Sequence, residues 1–163
     1  MTMIQGDKLK THILAHCIPV RVTHTNDFGR RISQADFYKV VHPLHVFKKV
    51  HVHSKFVNGD GYRVQAIANL IIPVGALIYA ANYSFWENEG SDARKMRASA
   101  AEVHSIATVH SKKQVSTANS PRRKIFKYTV GLTVTPELRF SRRESQCESG
   151  IHFFVNLADA KGW

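Results

Sequence analysis

The sequence predicts an α+β fold: a β-rich single domain, mostly antiparallel sheet with one or two short helices. Apolar residues alternate with polar ones through residues 44–53, as in a strand with one face buried and the other exposed to solvent. Asn58-Gly59-Asp60-Gly61 then signals a hairpin turn. A chain of 163 residues that is 44% hydrophobic can bury one core. We expect an N-terminal arm and edge strand over residues 1–36, and the β-rich domain over residues 37–163.

The first half of the chain predicts a frayed end followed by strands. Residues 1–10 lack a clear pattern and are expected to fray. Residues 15–25 alternate as a strand, and Pro19 within it favours a sheet edge because proline cannot donate to a ladder. Residues 37–42 and 44–53 are predicted as two strands separated at Pro43. Residues 65–72 and 76–81 follow as further strands because of their β-branched content.

The second half is less regular. Residues 94–106 fit a helix through their alanines or a strand through their final alternation. Residues 111–124 are polar and basic and predict a mobile loop. Residues 125–134 return to strand, interrupted at Gly131, and residues 136–146 form a polar connection.

The most distinctive stretch runs from Cys147 to Ala160. Gly150 permits a positive φ before a short apolar strand over residues 151–155. Asn156 can cap a helix whose first turn contains Asp159. His152 lies between apolar neighbours, which fits either a histidine held by one backbone partner or an imidazole that faces a ligand.

The charge balance points to polyanionic partners. Lys and Arg number 23 against 12 Asp and Glu, which gives a formal net charge of +11. Such a balance favours nucleic acid or a nucleotide-like anion, although solvated basic loops explain it equally well. Two cysteines are too few for a disulfide scaffold, and no apolar run is long enough to span a membrane. We therefore expect a cytoplasmic protein without a membrane partner or a cofactor.

Several clusters of cations are candidate phosphate ligands, provided that they converge on one face. The segment with Arg94, Lys95 and Arg97 is favoured because arginine grips phosphate with two donors. Lys48 and Lys49 form a further cluster. The other candidate residues are Arg122, Arg123, Lys124, Arg142 and Arg143.

Aromatic, nucleophilic and metal-binding candidates complete the set. Tyr83 and Trp86 could stack on bases, as could Tyr62, Phe85 and Tyr128. Cys147 and His152 could form a thiolate–imidazolium pair, but a buried structural cysteine explains Cys147 as well. His51 and His53 share a strand face and are weak metal candidates, since no metal motif accompanies them.

Four stretches carry a resemblance to a known family: IPVGALIYAA, RKMRASAAEVHSI, YTVGLTVTPE and CESGIHFF. They resemble uncharacterised domains of bacteriophages and large DNA viruses, which often accompany pentapeptide repeats. The likeness covers residues 37–161. Met96 stands where the family often has cysteine, and the chain contains no pentapeptide repeats. The matching positions are Pro73, Gly75, Arg94, Lys95, Arg97, Ala98, Val103, Ser105, Ile106, Gly131, Cys147, Gly150, His152, Phe153 and Phe154.

A shorter likeness concerns the stretch Gly-Ile-His-Phe-Phe at residues 150–154. It is similar to the Gly-Ile-Tyr-Phe-Ala stretch of ADP-ribosyltransferases, whose aromatic strand lines the nicotinamide pocket. No counterpart of that family's catalytic glutamate follows the motif, because Glu137, Glu144 and Glu148 all precede it.

Three functions remain open from the sequence. The leading hypothesis is a phage-type accessory protein that binds an anionic ligand without catalysis, acts against host defence, and works in the cytoplasm of an infected bacterium. The second is a nucleotide-processing or ADP-ribosyltransferase-like enzyme that uses His152. The third is an inhibitor that docks on an acidic host protein.

Overall fold

The computed structural model describes residues 3–53, 63–121 and 126–163. The predicted turn at residues 58–61, the aromatic candidate Tyr62 and the three cations at residues 122–124 lie outside these ranges. Within them the chain is β-rich, and the strand pairings between named strands are antiparallel, as predicted. The elements are α1 (Asp7–His16), β1 (Cys17–Thr25), β2 (Arg31–Val40), β3 (Leu44–His53), β4 (Arg63–Ile72), β5 (Leu77–Tyr79), β6 (Met96–Ala98), β7 (Ala101–Thr108), β8 (Gln114–Val115), β9 (Thr117–Asn119), β10 (Lys127–Thr129), β11 (Thr133–Val134), β12 (Ile151–Phe153) and α2 (Leu157–Gly162).

The strands form two sheets. The first sheet has the order β1-β2-β5-β6-β12, and the second has the order β10-β9-β3-β4-β7-β11 with β8 beside β7. Strand β1 lies at the edge of the first sheet, which is where Pro19 is tolerated. The hairpin of β3 and β4 is confirmed by a continuous register from Leu44↔Ile72 to His53↔Arg63.

The two sheets meet where Phe47 of β3 faces Phe154, the residue after β12. Each residue donates its backbone N–H to the other's carbonyl at 2.8 Å. The main core includes Val46, Val50 and Ile151. On the opposite side of β3, Phe47 packs with Phe154 and helix α2 in a smaller cluster. The junction therefore brings β12 alongside β3.

Two predictions about irregular segments were wrong. Residues 7–10 are not frayed but begin α1, because Leu9 and Ile13, four residues apart, are fully buried in the main core. Part of the predicted basic loop forms β8 and β9, and Ala118 of β9 is buried opposite Tyr128 of β10. For residues 94–106, where helix and strand were both possible, the structure shows strands β6 and β7, preceded by a short 3₁₀ turn that ends at Arg94.

Asn156 stands at the N-cap position of α2 but makes no side-chain cap hydrogen bond. Its amide instead binds the backbone of Ile4, accepting from the N–H at 2.8 Å and donating to the carbonyl at 2.6 Å. The residue therefore ties the N-terminal segment to the start of α2. Among the described helices, none combines the length and apolar character needed to cross a bilayer.

Candidate functional site

A cleft of about 410 Å³ opens beside the junction of the two sheets. Lys48 of β3, Tyr128 of β10 and His152 of β12 line it, and the turn at residues 147–150 and the segment at residues 136–138 complete its walls. Phe126 and Trp163 add aromatic surface. This volume falls within the usual range of small-molecule sites, roughly 300–1,000 Å³.

Lys48 supplies a buried positive charge to the cleft. It lies on the face of β3 that carries Val46 and Val50, so a cation occupies an otherwise apolar stripe. Lys48 is 6% exposed, its Nζ donates to the carbonyl of His152 at 3.0 Å, and it lies 6.0 Å from the ring centroid of Tyr128. Burial strengthens the field of such a charge because little water screens it.

Tyr128 is 2% exposed although it lines the cleft. Burial raises the pKa of its hydroxyl well above the ordinary value of 10, so the group stays protonated at neutral pH. A protonated phenol is a hydrogen-bond donor. Together with Lys48 it adds a second donor group beside the cleft, whose lining also includes the carboxylates of Glu137 and Glu148.

His152 is held by one backbone partner. Its Nε2 lies 2.8 Å from the carbonyl of Gln146, which can only accept, so Nε2 carries the proton. Burial, followed by the charge of Lys48, lowers the pKa of His152 to about 4. The ring is therefore neutral at pH 7. No hydrogen bond joins it to Cys147 among the residues described, and the Cys147 thiol is exposed.

The turn beside the cleft is organised by Arg97. This side chain is 0% exposed, and its guanidinium donates to the carbonyls of Ser141, Arg143, Ser145 and Ser149. Four of its five N–H groups are therefore used by the backbone of residues 141–149. Burial lowers the pKa of Arg97 to about 10, and the group remains charged at neutral pH.

Three aromatic rings enclose the same guanidinium. Its Cζ lies 4.8 Å from the centroids of Tyr79 and Phe140 and 5.7 Å from that of Phe37. Cation–π attraction therefore adds to the four carbonyls in stabilising the buried charge. Arg97 was predicted as a phosphate ligand, but the structure places it as the support of the cleft wall, with its guanidinium facing the protein.

The side chain of Arg94 also makes its contacts within the folded protein. Its Nε and Nη2 bind both oxygens of Asp159 at 2.7 and 2.9 Å, and its Nη1 donates to the carbonyl of Glu89. Both side chains of this pair are less than a tenth exposed. Lys95 lies 5.2 Å over the ring of Trp163. The segment at residues 94–97 therefore anchors α2 and the cleft wall.

The remaining predicted residues are dispersed. Arg142 and Arg143 are exposed, and Arg143 contacts His24 of β1 and Asp27 in the turn between β1 and β2. Tyr83 and Trp86 meet edge to face at 6.1 Å, and Trp86 is 56% exposed. They do not line the cleft. The described cations that sequence analysis favoured thus do not form a single patch around the cleft.

His51 and His53 line a second, smaller hollow of about 190 Å³ with Arg63. Within the described ranges, no group of three histidine, cysteine, aspartate or glutamate side chains is placed to hold a metal ion. Burial, then the charges of Arg63 and Lys49, lowers the pKa of His51. This cationic setting is less suited to a metal ion than to an anion.

Sequence reasoning missed Phe126 and Trp163 as cleft residues, since only the fold brings them to β12. Lys48 was named only as one of many cations. A signal for it did exist, because Val46, Val50 and Val52 alternate with it on one strand face. A lone cation on such a face indicates either a buried ion or a site.

These features define a class: an antiparallel two-sheet protein with an aromatic-lined cleft at the junction of its sheets, in which a buried lysine lies beside two glutamates. A family model described as a family of unknown function (DUF5758) matches residues 28–160, and the chain belongs to that family. No curated protein and no solved structure matches the chain.

Proposed function

We propose that this protein binds an anionic ligand, a nucleic acid or a nucleotide-like molecule, in the cleft at the sheet junction. The observation that carries the proposal is the buried Lys48 in a cavity of about 410 Å³. The carbonyl of His152 holds the Lys48 ammonium at the cleft, where the charge attracts an anionic group with little screening by water. The net charge of +11 supports the same ligand class, because it attracts polyanions from a distance.

The walls of the cleft suit the other parts of a nucleotide. Phe126 and Trp163 offer ring faces for a base. Glu137 and Glu148 also line the cleft, and their oxygens can accept hydrogen bonds from ribose hydroxyls or from a base amino group. A mixture of one buried cation, aromatic rings and a few acceptors favours a nucleotide over a simple inorganic anion.

We propose binding without catalysis. A neutral His152 whose Nε2–H is used by Gln146 supports this choice, because an imidazolium acid would need a higher pKa. A phage-type accessory role against host defence in the bacterial cytoplasm is part of the same proposal and rests on the sequence resemblance alone. Incubation with NAD and with cyclic nucleotides, followed by product analysis, tests the catalytic alternative.

The binding test uses AMP and an eight-nucleotide single-stranded RNA, titrated by calorimetry at 50 and 200 mM salt. We expect binding of both, with steeper salt dependence for the RNA since it displaces more counterions. Lys48→Met should weaken both by about tenfold or more. Lys39→Met, an exposed lysine on β2, is the matched control and should leave AMP binding unchanged. Absence of binding at low salt, or equal affinities for both variants, would refute the proposal.

A further inference from the structure

Two histidines lie one helical turn apart in the second half of α1. His12 and His16 are four residues apart, so their side chains project from the same face of the helix. Their ring centroids are 4.8 Å apart, and the ring planes are tilted by 46°. Both side chains are partly exposed, so solvent reaches this pair. Two imidazoles at this spacing form a chelating arrangement for a metal ion that prefers nitrogen ligands.

The fold holds this part of α1 in place. Leu9 and Ile13, on the inner face of the helix, are both 0% exposed. The carbonyl of His16 accepts from the backbone N–H groups of Val41 and His42 at 2.8 and 2.9 Å, which ties the end of α1 to the residues that follow β2. The two rings are therefore carried on an anchored helix, and binding of an ion costs little ordering of the backbone.

The hydrogen bond of His16 selects the tautomer that a metal ion requires. Its Nδ1 lies 2.9 Å from the carbonyl of His12, which can only accept, so Nδ1 carries the proton and the Nε2 of the neutral ring keeps its lone pair. Histidines that bind metal ions usually donate their other ring N–H to a carbonyl or a carboxylate in this way. Such a contact orients the ring and raises the basicity of the nitrogen that binds the ion.

The ring of His12 can act as the second ligand. Its nitrogens make no hydrogen bond among the described residues, and the buried unpaired atoms of this part of the chain are instead the Nδ1 of His51 and the Oγ of Ser84. The nitrogens of His12 are therefore not shut off from solvent, as the Nδ1 of His51 is. Burial, followed by the charge of His16, lowers the pKa of His12, so protons compete little for this ring at neutral pH.

The separation of the two rings agrees with shared coordination. At metal–nitrogen bonds of about 2.0–2.1 Å, the ring centroids lie about 3.2 Å from the ion and roughly 4.5–5.2 Å from each other, for ligand angles of roughly 90–109°. The observed separation of 4.8 Å falls within this range. The spacing of the rings therefore requires no movement of the helix backbone.

We propose that His12 and His16 form a binding site for a divalent transition-metal ion that prefers imidazole ligands, such as Zn²⁺, Ni²⁺ or Cu²⁺. The Nε2 of His16 and one ring nitrogen of His12 bind the ion, and water or an atom of another molecule takes its remaining positions. Mg²⁺ and Ca²⁺ do not bind here, because they require oxygen ligands. The site does not depend on the function proposed for the cleft, since none of the residues that line the cleft belongs to α1.

Calorimetric titration with ZnCl₂ at pH 7.5 tests the proposal, with MgCl₂ as the reference salt. We expect the parent protein to bind Zn²⁺ and not Mg²⁺. His12→Gln and His16→Gln should each weaken Zn²⁺ binding at least about tenfold, because a single imidazole lacks the effective concentration that the second one supplies. The matched control combines His104→Gln with His110→Gln, which removes two exposed histidines and should leave the affinity unchanged.

NMR of the parent protein locates the ion without any substitution, so this measurement stands even if a variant is destabilised. Substoichiometric Cu²⁺, which is paramagnetic and binds such ligands more tightly than Zn²⁺, should broaden the imidazole signals of His12 and His16 before those of the other histidines. Undiminished Zn²⁺ affinity in both single variants would overturn the proposal. An equal loss in the control variant, or broadening that begins at other histidines, would overturn it as well.

Discussion

Gly150 lies directly against Arg97. A Cβ placed on Gly150 would be 2.9 Å from the Cβ of Arg97 and 3.2 Å from its Cγ. Gly150 does not have a positive φ, so the conformational reason expected from the sequence was wrong. The residue must be glycine because the strand entry passes over the buried stem of Arg97, whose guanidinium is fixed by four carbonyls.

Gly150→Ala should therefore destabilise the fold. The added methyl group must displace a side chain that cannot move without breaking its hydrogen bonds. We expect the free energy of unfolding to fall by about 1–3 kcal/mol, as for other overpacked sites. Urea unfolding measures it. Gly90→Ala is the control, because nothing lies within 4 Å of its added Cβ and its φ is −69°. If both substitutions lowered the free energy of unfolding by the same small amount, the close contact between Gly150 and Arg97 would be contradicted.

Arg97→Met should loosen the cleft wall. The substitution keeps an apolar side chain among Phe37, Tyr79 and Phe140. It removes the side-chain donor of the Ser141 and Ser145 carbonyls, while the carbonyls of Arg143 and Ser149 keep a backbone N–H donor. We expect a loss of about 2 kcal/mol or more, since each unpaired buried carbonyl costs about 1–3 kcal/mol. Limited trypsin digestion should cut faster after Arg142 and Arg143. Arg97→Lys should recover only part of the lost stability, because lysine lacks the planar set of N–H donors of the guanidinium.

Strand β3 could be predicted from the sequence, whereas the contacts of Arg94 and Arg97 could not. Strand β3 was predicted with its observed bounds, because alternation, Pro43 and a glycine-rich turn delimit it locally. The partner of Arg94 is Asp159, 65 residues away, and Arg97 binds carbonyls 44 to 52 residues away. Such contacts depend on the tertiary fold and leave no local pattern. Helix α1 was missed because only Leu9 and Ile13 mark its buried face.

His152 should make stability depend on pH. Burial, then the charge of Lys48, lowers its folded pKa to about 4 from the ordinary 6.5. Below pH 6.5 the His152 side chain is protonated in the unfolded chain, whereas in the folded chain it stays neutral until the pH approaches 4. The contribution of His152 to the free energy of unfolding is therefore fully present above pH 6.5 and is lost as the pH falls towards 4. This loss is at most about 3 kcal/mol.

The check is a series of urea unfolding curves from pH 4 to pH 7. Two other partly buried histidines contribute to the slope of the parent protein, since the pKa values of His12 and His51 are also lowered. His152→Gln should flatten the slope relative to the parent. His104→Gln, an exposed histidine on β7, should leave the slope unchanged. A parent-like slope in His152→Gln would mean that His152 does not titrate in this range.

The pair of Arg94 and Asp159 should be strongly coupled. Asp159 also accepts from the amide of Asn156 at 3.1 Å, so α2 is held through this carboxylate. Arg94→Met or Asp159→Leu alone leaves one buried charge unpaired, and each should cost about 3–5 kcal/mol.

The double variant should be more stable than either single variant, because an apolar pair removes the unpaired charge. A double-mutant cycle from urea unfolding measures this coupling. The exposed pair of Arg143 and Asp27, at 3.7 Å, is the control. Asp27→Asn should change stability by at most about 1 kcal/mol, since water screens an exposed pair. Equal coupling energies for the two pairs would contradict the idea that the buried Arg94–Asp159 pair holds α2 against the cleft wall.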